Sequence, residues 1–352
     1  MQIRRFVKWF LRSSDPQAQR ARLIVRLVIV LGLFVGLFWI IPIDEVVQAL
    51  RSADIRLLAI GVVFGLATVF LSSVEMLPLI RKQGIQRNLL QIFAINLSVK
   101  FYLLLLPTML VGSAVRWYRF AQPEGKVVES FVALAFFRLF ETFLTLVLGL
   151  GFFLISMQEA IKVSLGWVVL LIVVIVLVWV LITRFSLPIY RWIRERAGSL
   201  PDRPYLHPIL DSLEKVLSTA SSYADMPASG LFLMIGAGIL SALAGITSAL
   251  FLAEAVGINL DFLEMGWIQA VVSLASQLPF TIGEGLGVRE VTLVAVLSLF
   301  GINAAHALAF SFLIFIRNIL IALLGGILEA IEALRARRTV RLAEIHRDTN
   351  DL

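Results

Sequence analysis

The sequence has 352 residues, of which 59% are hydrophobic and 16% are charged, and its mean hydropathy is +0.92. Several apolar stretches approach the length that crosses a bilayer, so the composition excludes an ordinary soluble domain and indicates a polytopic membrane protein. The net charge of +7 does not indicate nucleic-acid binding, because the basic residues lie between the apolar stretches. The absence of cysteine excludes disulfides, thiolate metal sites and a cysteine nucleophile.

The distribution of Lys and Arg predicts the topology of the first half of the chain. A basic segment, 1–22, precedes the first apolar stretch and places the N-terminus in the cytoplasm. The stretch 57–80 then crosses inward, and 127–156 crosses outward. Between them, 89–119 is interpreted as a cytoplasmic hairpin, because a full crossing would place the basic residues that follow it outside. A full crossing is the alternative for this segment.

The second half of the chain follows a further inward crossing at 163–183 and a basic connection at 184–229. Apolar residues recur at helical spacing in that connection, which predicts an amphipathic helix on the inner membrane face. The stretch 231–255 crosses outward, and 265–300 is interpreted as a hairpin inserted from the outside. One crossing at 304–330 then returns the chain to the cytoplasm.

The expected architecture is therefore an all-α polytopic membrane protein, with about six full crossings and two oppositely inserted broken or re-entrant helical hairpins. The integral domain is expected to span 23–335, with repeat halves at 57–156 and 231–330. A cytoplasmic tail, 336–352, follows it. We expect a bacterial or archaeal plasma membrane as the location, with both termini in the cytoplasm.

Two polar motifs recur in the two halves. Leu106-Pro107 precedes a Gly-x-x-Val-Arg sequence that ends at Arg116, and Leu278-Pro279 precedes one that ends at Arg289. A crossing helix with a glutamate comes before each hairpin, and one with an arginine comes after it. Opposite orientation of these parts predicts an inverted-topology repeat with a midplane binding site, although chance recurrence in a Leu-, Val- and Gly-rich chain would explain the motifs too. The flanking residues are Glu75 and Arg138 in the first half and Glu254 and Arg317 in the second.

The ionisable residues of the membrane segments are the candidates for a site, since a charge at mid-bilayer costs roughly 2.5 to 3.5 kcal/mol on insertion scales. Arg138 and Glu141 lie three residues apart, so they can pair with each other or contribute to the site. Glycines allow backbone N–H groups to face a ligand, and the planar fork of arginine suits a phosphate. The predicted substrate-binding residues are Arg116, Arg289, Glu284, Glu290, Arg138, Glu141, Arg317, Gly112, Gly283, Gly285 and Gly287.

The segments 111–119 and 278–290 resemble the flippase-like membrane domain of lysylphosphatidylglycerol synthases. They read Val-Gly-Ser-Ala-Val-Arg-Trp-Tyr-Arg and Leu-Pro-Phe-Thr-Ile-Gly-Glu-Gly-Leu-Gly-Val-Arg-Glu. The resemblance extends over residues 20–335 and implies movement of an amphiphilic lipid between leaflets. Ser113 stands where that family usually has an acidic residue, and Glu284-Gly285 where it often has Gly-Gly, and these departures bear on the headgroup.

The resemblance implies a phospholipid, an aminoacylated phospholipid or a polyprenyl-linked lipid as the substrate. We expect a transporter or flippase rather than an enzyme, with the bilayer and a membrane lipid as partners and with no cofactor. No Gly-x-x-x-x-Gly-Lys-Ser/Thr loop is present, so ATP-driven transport by this chain alone is not expected. Only a short tail follows residue 330, so we expect no soluble aminoacyl-transferase domain.

Two other functional classes stay open. A proton-coupled secondary transporter of a small anionic solute would use the same architecture. Its proton carrier would be Glu75, Glu141, Glu254 or Glu284. An intramembrane transferase or hydrolase acting on lipid phosphate is the other class, although the three histidines form no metal-ligand pattern.

The predicted topology is testable by thiol labelling, because the wild-type chain has no cysteine and supplies an unlabelled background. Cysteines at Ser52 and Asn259 are expected to react with an impermeant maleimide added to intact cells. Cysteines at Arg87 and Ser199 are expected to react only after the cells are opened. Labelling of the Asn259 and Ser199 variants from the same side would contradict the inverted repeat.

Overall fold

The computed structural model describes residues 43–105, 109–122, 124–156, 222–277 and 287–350, with a few isolated positions, and its regular elements there are helices. The all-α prediction is confirmed for this part of the chain. A short 3₁₀ helix, Ser222–Asp225, precedes the second half. In chain order the α-helices are α1 (Ile43–Arg51), α2 (Ile55–Lys82), α3 (Leu89–Leu105), α4 (Met109–Ala121), α5 (Val127–Ser156), α6 (Ala228–Glu254), α7 (Phe262–Ala275), α8 (Val288–Ser298) and α9 (Ala304–Asn350).

Four of the described helices are long and apolar enough to cross a membrane, by length and composition. They are α2, α5, α6 and the Ala304–Ile331 part of α9, which coincide closely with four of the predicted crossings. The predicted first crossing at 27–41, the crossing at 163–183 and the amphipathic part of the connection lie almost wholly outside the described residues.

Two pairs of shorter helices occupy the predicted hairpin segments. Within each pair, α3 with α4 and α7 with α8, the helices contact each other. The 17 residues of α3 and the 14 of α7 give lengths of about 25 and 21 Å, shorter than a hydrocarbon core of about 30 Å. Residues 106–108 and 278–286, which join the helices of each pair in sequence, lie outside the described residues.

Local capping explains where α7 begins. The side chain of Asp261 accepts a hydrogen bond from the backbone N–H of Glu264, at 2.8 Å, and the Glu264 side chain accepts one from the N–H of Asp261, at 2.9 Å. This reciprocal arrangement satisfies two N–H groups that a helix start leaves without partners. Both acidic residues were expected in an outside loop, and the structure uses them to start the hairpin helix.

A further helix, α1, lies before the crossing predicted at 57–80. Its side chains Val46 and Ala49 are buried in a hydrophobic cluster that includes Trp267 and Phe310, and α1 packs against α9. Ala49 comes three positions after Val46, so the two side chains share one face of the short helix. The sequence carries an amphipathic signal for this helix, because apolar residues recur at helical spacing at Ile43, Val46, Val47 and Leu50.

The helices of the two halves contact each other in reciprocal pairs. α2 packs along α6, the hairpin helix α3 packs against α9, and the hairpin helix α7 packs against α5. The hairpin of each half therefore rests on the last described spanning helix of the other half.

Small residues allow α2 and α6 to approach closely. The hydroxyl of Ser248 donates a hydrogen bond to the carbonyl oxygen of Gly61 at 2.6 Å, and a β-carbon at Gly61 would press on Leu252. Further along the same interface, the hydroxyl of Ser241 donates a hydrogen bond to the carbonyl oxygen of Thr68 at 3.3 Å. Close backbone approach and interhelical hydrogen bonds drive helix association in lipid, where the tails are as apolar as the side chains.

The contact between α3 and α9 predicts a sharp dependence on Gly325. A β-carbon at Gly325 would overlap the backbone carbonyl oxygen of Leu97, which a side-chain rotation cannot relieve. Gly325→Ala is therefore expected to lower the free energy of unfolding by about 1 to 3 kcal/mol, as overpacking does. Thermal unfolding of the detergent-purified protein measures this.

The matched control is Gly236→Ala in α6, because a β-carbon there would meet no atom within 4 Å. This variant is expected to unfold at or slightly above the wild-type temperature, since alanine favours helix more than glycine. Equal destabilisation by both substitutions would contradict the proposed packing.

Candidate functional site

A polar cavity of about 180 Å³ lies between α2, α5, α6 and α7. Three of these helices are candidate membrane spans and the fourth is a hairpin helix. The cavity is large enough for several water molecules or for a small polar group. The polar side chains of its lining are Glu75, Glu141, Thr68, Thr145, Ser241, Gln269 and Ser273.

Glu75 is the most deeply buried acidic group of this lining. Its residue surface is 2% exposed, and its Oε1 atom has no hydrogen-bond partner among the described residues. A β-carbon at Gly238, on the facing helix α6, would lie 3.4 Å from the carboxyl carbon of Glu75. That is an ordinary van der Waals distance, and the same β-carbon would press instead on the side chain of Leu144, at 2.8 Å. A buried, unsatisfied carboxyl oxygen on a cavity wall is typical of a group that meets a ligand or water.

Glu141 lines the cavity from α5 and forms an ion pair with Arg138. The Nη1 atom of Arg138 lies 3.0 Å from Oε2 of Glu141, and the side chains are 56% and 37% exposed. The predicted pairing of these residues is therefore present, and Glu141 also lines the cavity. Because α5 is a candidate membrane span, this pairing offsets the cost of carrying both charges in an apolar environment.

Small residues bring α7 onto α5 and α6 onto α5 around the cavity. A β-carbon at Gly149 would overlap Ala270 of α7, and one at Gly266 would press on the ring of Phe152. At the mouth, the hydroxyl of Thr142 lies 3.2 Å from Oε1 of Gln277 and donates to it. The second-half hairpin is thus held against the helix that carries Glu141.

Arg289 of the second-half motif forms a buried ion pair with its neighbour Glu290. The Nη2 atom of Arg289 lies 2.6 Å from Oε1 of Glu290, and Ser311 of α9 donates to the same oxygen at 2.9 Å. The other oxygen, Oε2, accepts the backbone N–H of Gly287 at 2.6 Å. Gly287 has φ of +89°, which favours glycine because it lacks a β-carbon. Arg289 therefore has a carboxylate partner inside its own hairpin, and it does not line the cavity.

The remaining predicted residues lie elsewhere. Arg116 is partly buried on α4 and does not line the cavity. Arg317 donates from Nη1 to the hydroxyl of Ser248 at 3.0 Å and from Nη2 to Oδ1 of Asn318 at 3.0 Å. Gly112 lies within α4, whereas Gly283, Glu284 and Gly285 lie outside the described residues. A shared anion site of Arg116 and Arg289 stays a prediction.

The matched glutamates of the two halves have different environments. Glu75 is buried well inside α2, whereas Glu254 is the exposed last residue of α6. The two positions therefore do not form equivalent halves of a site.

Several cavity residues were not singled out from the sequence. Each lies on an otherwise apolar helix, at a spacing of four or seven residues from another lining residue, and such spacings share a helix face. The pairs are Thr68 with Glu75, Glu141 with Thr145, Ser241 with Gly245, and Gln269 with Ser273. This spacing of polar and small residues was the sequence signal that could have identified the cavity lining.

A second ion pair connects the first-half hairpin to α9. The Nη2 atom of Arg119 donates to Oε2 of Glu329 at 2.6 Å, and the hydroxyl of Tyr102 donates to the same oxygen at 3.1 Å. Arg87 donates to the carbonyl oxygen of Arg119 at 3.2 Å. The α3–α4 hairpin is therefore fixed to α9 by charged and neutral hydrogen bonds.

These observations define a helical integral membrane protein with a partly open cavity, lined by polar and apolar side chains, between helices of both halves of the chain. A family model described as the lysylphosphatidylglycerol synthase TM region matches residues 23–326. The chain therefore belongs to the lysylphosphatidylglycerol synthase transmembrane-region family, and the resemblance seen in its motifs is confirmed. Comparison with curated proteins gives no match.

The Arg289–Glu290 pair is expected to be structural. Glu290→Gln would leave the guanidinium buried without a counter-charge, which costs about 3 kcal/mol or more in buried pairs. A marked fall in the thermal unfolding temperature of the purified variant is the expected result. Glu254→Gln, on an exposed glutamate, is the control and should unfold like wild type. Wild-type stability of Glu290→Gln would show that the pair is dispensable.

Proposed function

We propose that the protein translocates an amphiphilic lipid between the membrane leaflets by receiving its headgroup in the cavity between α2, α5, α6 and α7. The observation that carries this proposal is the placement of two carboxylates, Glu75 and Glu141, on the wall of a cavity among candidate membrane spans. Ionisable groups at this depth normally mark a substrate path. Membership of a family named for a lipid synthase supports a lipid substrate.

The cavity is positioned for access from both sides. Glu141 is 14 residues from the start of α5 and 15 from its end, which is about 21 to 23 Å of helix on each side. Glu75 lies seven residues from the end of α2, or about 10 Å. On α5 the lining continues to Phe152, four residues from the helix end that the basic-residue distribution assigns to the outside. We infer that the lining extends from the side of Lys82, which that distribution assigns to the cytoplasm, past the bilayer midplane.

We further propose that the chain is an inverted-topology repeat with two re-entrant hairpins in a plasma membrane. The short lengths of α3 and α7 support re-entry, because neither helix spans a hydrocarbon core. The reciprocal contacts of α3 with α9 and of α7 with α5 support the repeat. Two oppositely inserted hairpins would give the site alternating access.

The lining favours a headgroup that carries an amine. An ammonium group can bind between the carboxylates of Glu75 and Glu141, while Arg138, exposed at the edge, can bind the lipid phosphate. Amine-bearing or aminoacylated phospholipids fit this arrangement. We favour lipid translocation over transport of a small anionic solute because the chain belongs to a family named for a lipid synthase.

Translocation of a fluorescent phospholipid in reconstituted vesicles tests the proposal. Wild-type protein is expected to move labelled lipid from the inner leaflet to the outer leaflet, where an impermeant quencher reaches it. Glu141→Gln is expected to lower the rate of this movement about tenfold, because a lost hydrogen bond to a charged group is worth about 1.5 to 3 kcal/mol.

Glu129→Gln is the matched control, because Glu129 lies in the first turn of the same helix and does not line the cavity. It should translocate at the wild-type rate. Equal rates for wild type and protein-free vesicles with every lipid tested would refute the proposed function.

A further inference from the structure

We propose that Glu75 is a proton-binding site of the cavity when no lipid is bound. A lipid headgroup with one net positive charge displaces this proton. Translocation of such a lipid is therefore coupled to one proton moving in the opposite direction. The coupling rests on the proposed function. Protonation of Glu75 is a property of the cavity and is testable without transport.

The surroundings of Glu75 favour its neutral form. The residue is buried, and its Oε1 atom accepts no hydrogen bond from any described residue. The facing Gly238 is itself packed against the side chains of Leu144 and Phe140, so the neighbourhood is largely apolar. A carboxylate in such a place loses its hydration without replacement, whereas a protonated carboxyl does not carry that cost.

The charged groups that face Glu75 do not oppose its neutral form. From α5, Glu141 lines the same cavity, and its negative charge disfavours a second carboxylate nearby, while its partner Arg138 keeps the net charge of that pair at zero. From α6 and α7, the lining residues are uncharged. These lining residues are Gly238, Ser241, Ala242, Gly245, Ile246, Gly266, Gln269, Ala270 and Ser273.

The other elements packed against α2 direct their described polar groups elsewhere. From α3, Asn96 donates to the hydroxyl of Ser73 at 2.8 Å. From α9, Arg317 packs on Gly65, ten residues before Glu75, which is about 15 Å along the helix. From the 3₁₀ helix, the carbonyl oxygen of Asp225 accepts from Lys82 at 3.0 Å, at the far end of α2.

The exchange conserves the charge of the cavity. When the cavity is empty, the Arg138–Glu141 pair cancels and protonated Glu75 is neutral. When a lipid with one net positive charge binds, the O–H bond of Glu75 breaks, the proton passes to water, and the carboxylate pairs with the ammonium group. Release on the other side reverses both changes. A zwitterionic lipid has no net charge, so Glu75 retains its proton when that lipid binds.

Infrared difference spectroscopy on the purified full chain tests the proton site. The carbonyl stretch of a protonated carboxyl group is expected in wild type and in the control Glu254→Gln, and is expected to disappear in Glu75→Gln. Glu75→Asp, which keeps a titratable group, should retain a shifted band and covers the case in which the amide variant fails to fold. Absence of the band in folded wild type, or its persistence in folded Glu75→Gln, overturns the site.

Proton release on lipid binding tests the exchange. Lysine-esterified phosphatidylglycerol, with one net positive charge, is expected to release about one proton per protein from wild type, because charge pairing replaces protonation of a buried carboxyl. Wild type with zwitterionic phosphatidylethanolamine should release less than about a tenth of that amount of protons, and so should the Glu75→Gln variant with either lipid. Equal release with both lipids, or none with either, overturns the exchange.

Vesicles that contain a lumenal pH dye separate this inference from the proposed function. Movement of the cationic lipid with an opposite proton flux supports both. Movement of that lipid without proton flux leaves the proposed function intact and overturns the coupling. If folded wild type moves no lipid, the proposed function fails and the coupling fails with it, while the infrared band alone decides whether Glu75 is a proton site.

Discussion

The close contact of α2 with α6 is the interaction on which the rest of the described structure depends. Gly61 has no side chain and allows the backbones to approach, and the hydroxyls of Ser241 and Ser248 donate hydrogen bonds across the interface. The same two helices carry Glu75 and Gly238 on facing positions. The packing that joins the two halves therefore also encloses the cavity, and a change that separates these helices would disturb fold and site together.

The ionisable groups of the membrane region are accommodated in three ways. Arg289 and Glu290 neutralise each other in a buried pair within one hairpin, and Arg119 with Glu329 neutralise each other between a hairpin and α9. Glu75 lies on a cavity wall with one oxygen that accepts no bond from the described residues. The first two arrangements are closed to ligands. The third leaves a polar atom that a ligand or a proton can satisfy, which is why we propose a site that includes Glu75.

The elements that hydropathy controls could be predicted from the sequence. The four described spans and the short hairpin helices follow from apolar length, and the Arg138–Glu141 pair follows from a spacing of three residues. The cavity could not be derived in this way. Its members lie on four helices, and the sequence does not state which faces of those helices meet. Gln269 and Ser273 lie one turn apart on the same face of α7, but their place in the same cavity as Glu75 depends on packing between the halves.

The same limit explains the role of Arg289. Both Arg289 and Glu290 are among the substrate-binding residues predicted from the sequence. Their pairing with each other depends on the φ of Gly287 and on the approach of Ser311 from α9, and both are products of the folded structure. Arginine next to glutamate in a glycine-rich segment is thus compatible with an anion site or with a closed pair, and only tertiary contacts distinguish them.

The two polar attachments of α9 give this helix a mechanical role. Ser311 contacts the second-half hairpin and Glu329 contacts the first-half hairpin, and 18 residues of continuous helix, about 27 Å, separate them. An α-helix resists changes in length because every turn is closed by backbone hydrogen bonds. α9 therefore acts as a rigid spacer, so that neither hairpin can shift along the helix axis without pulling on the other or breaking an attachment.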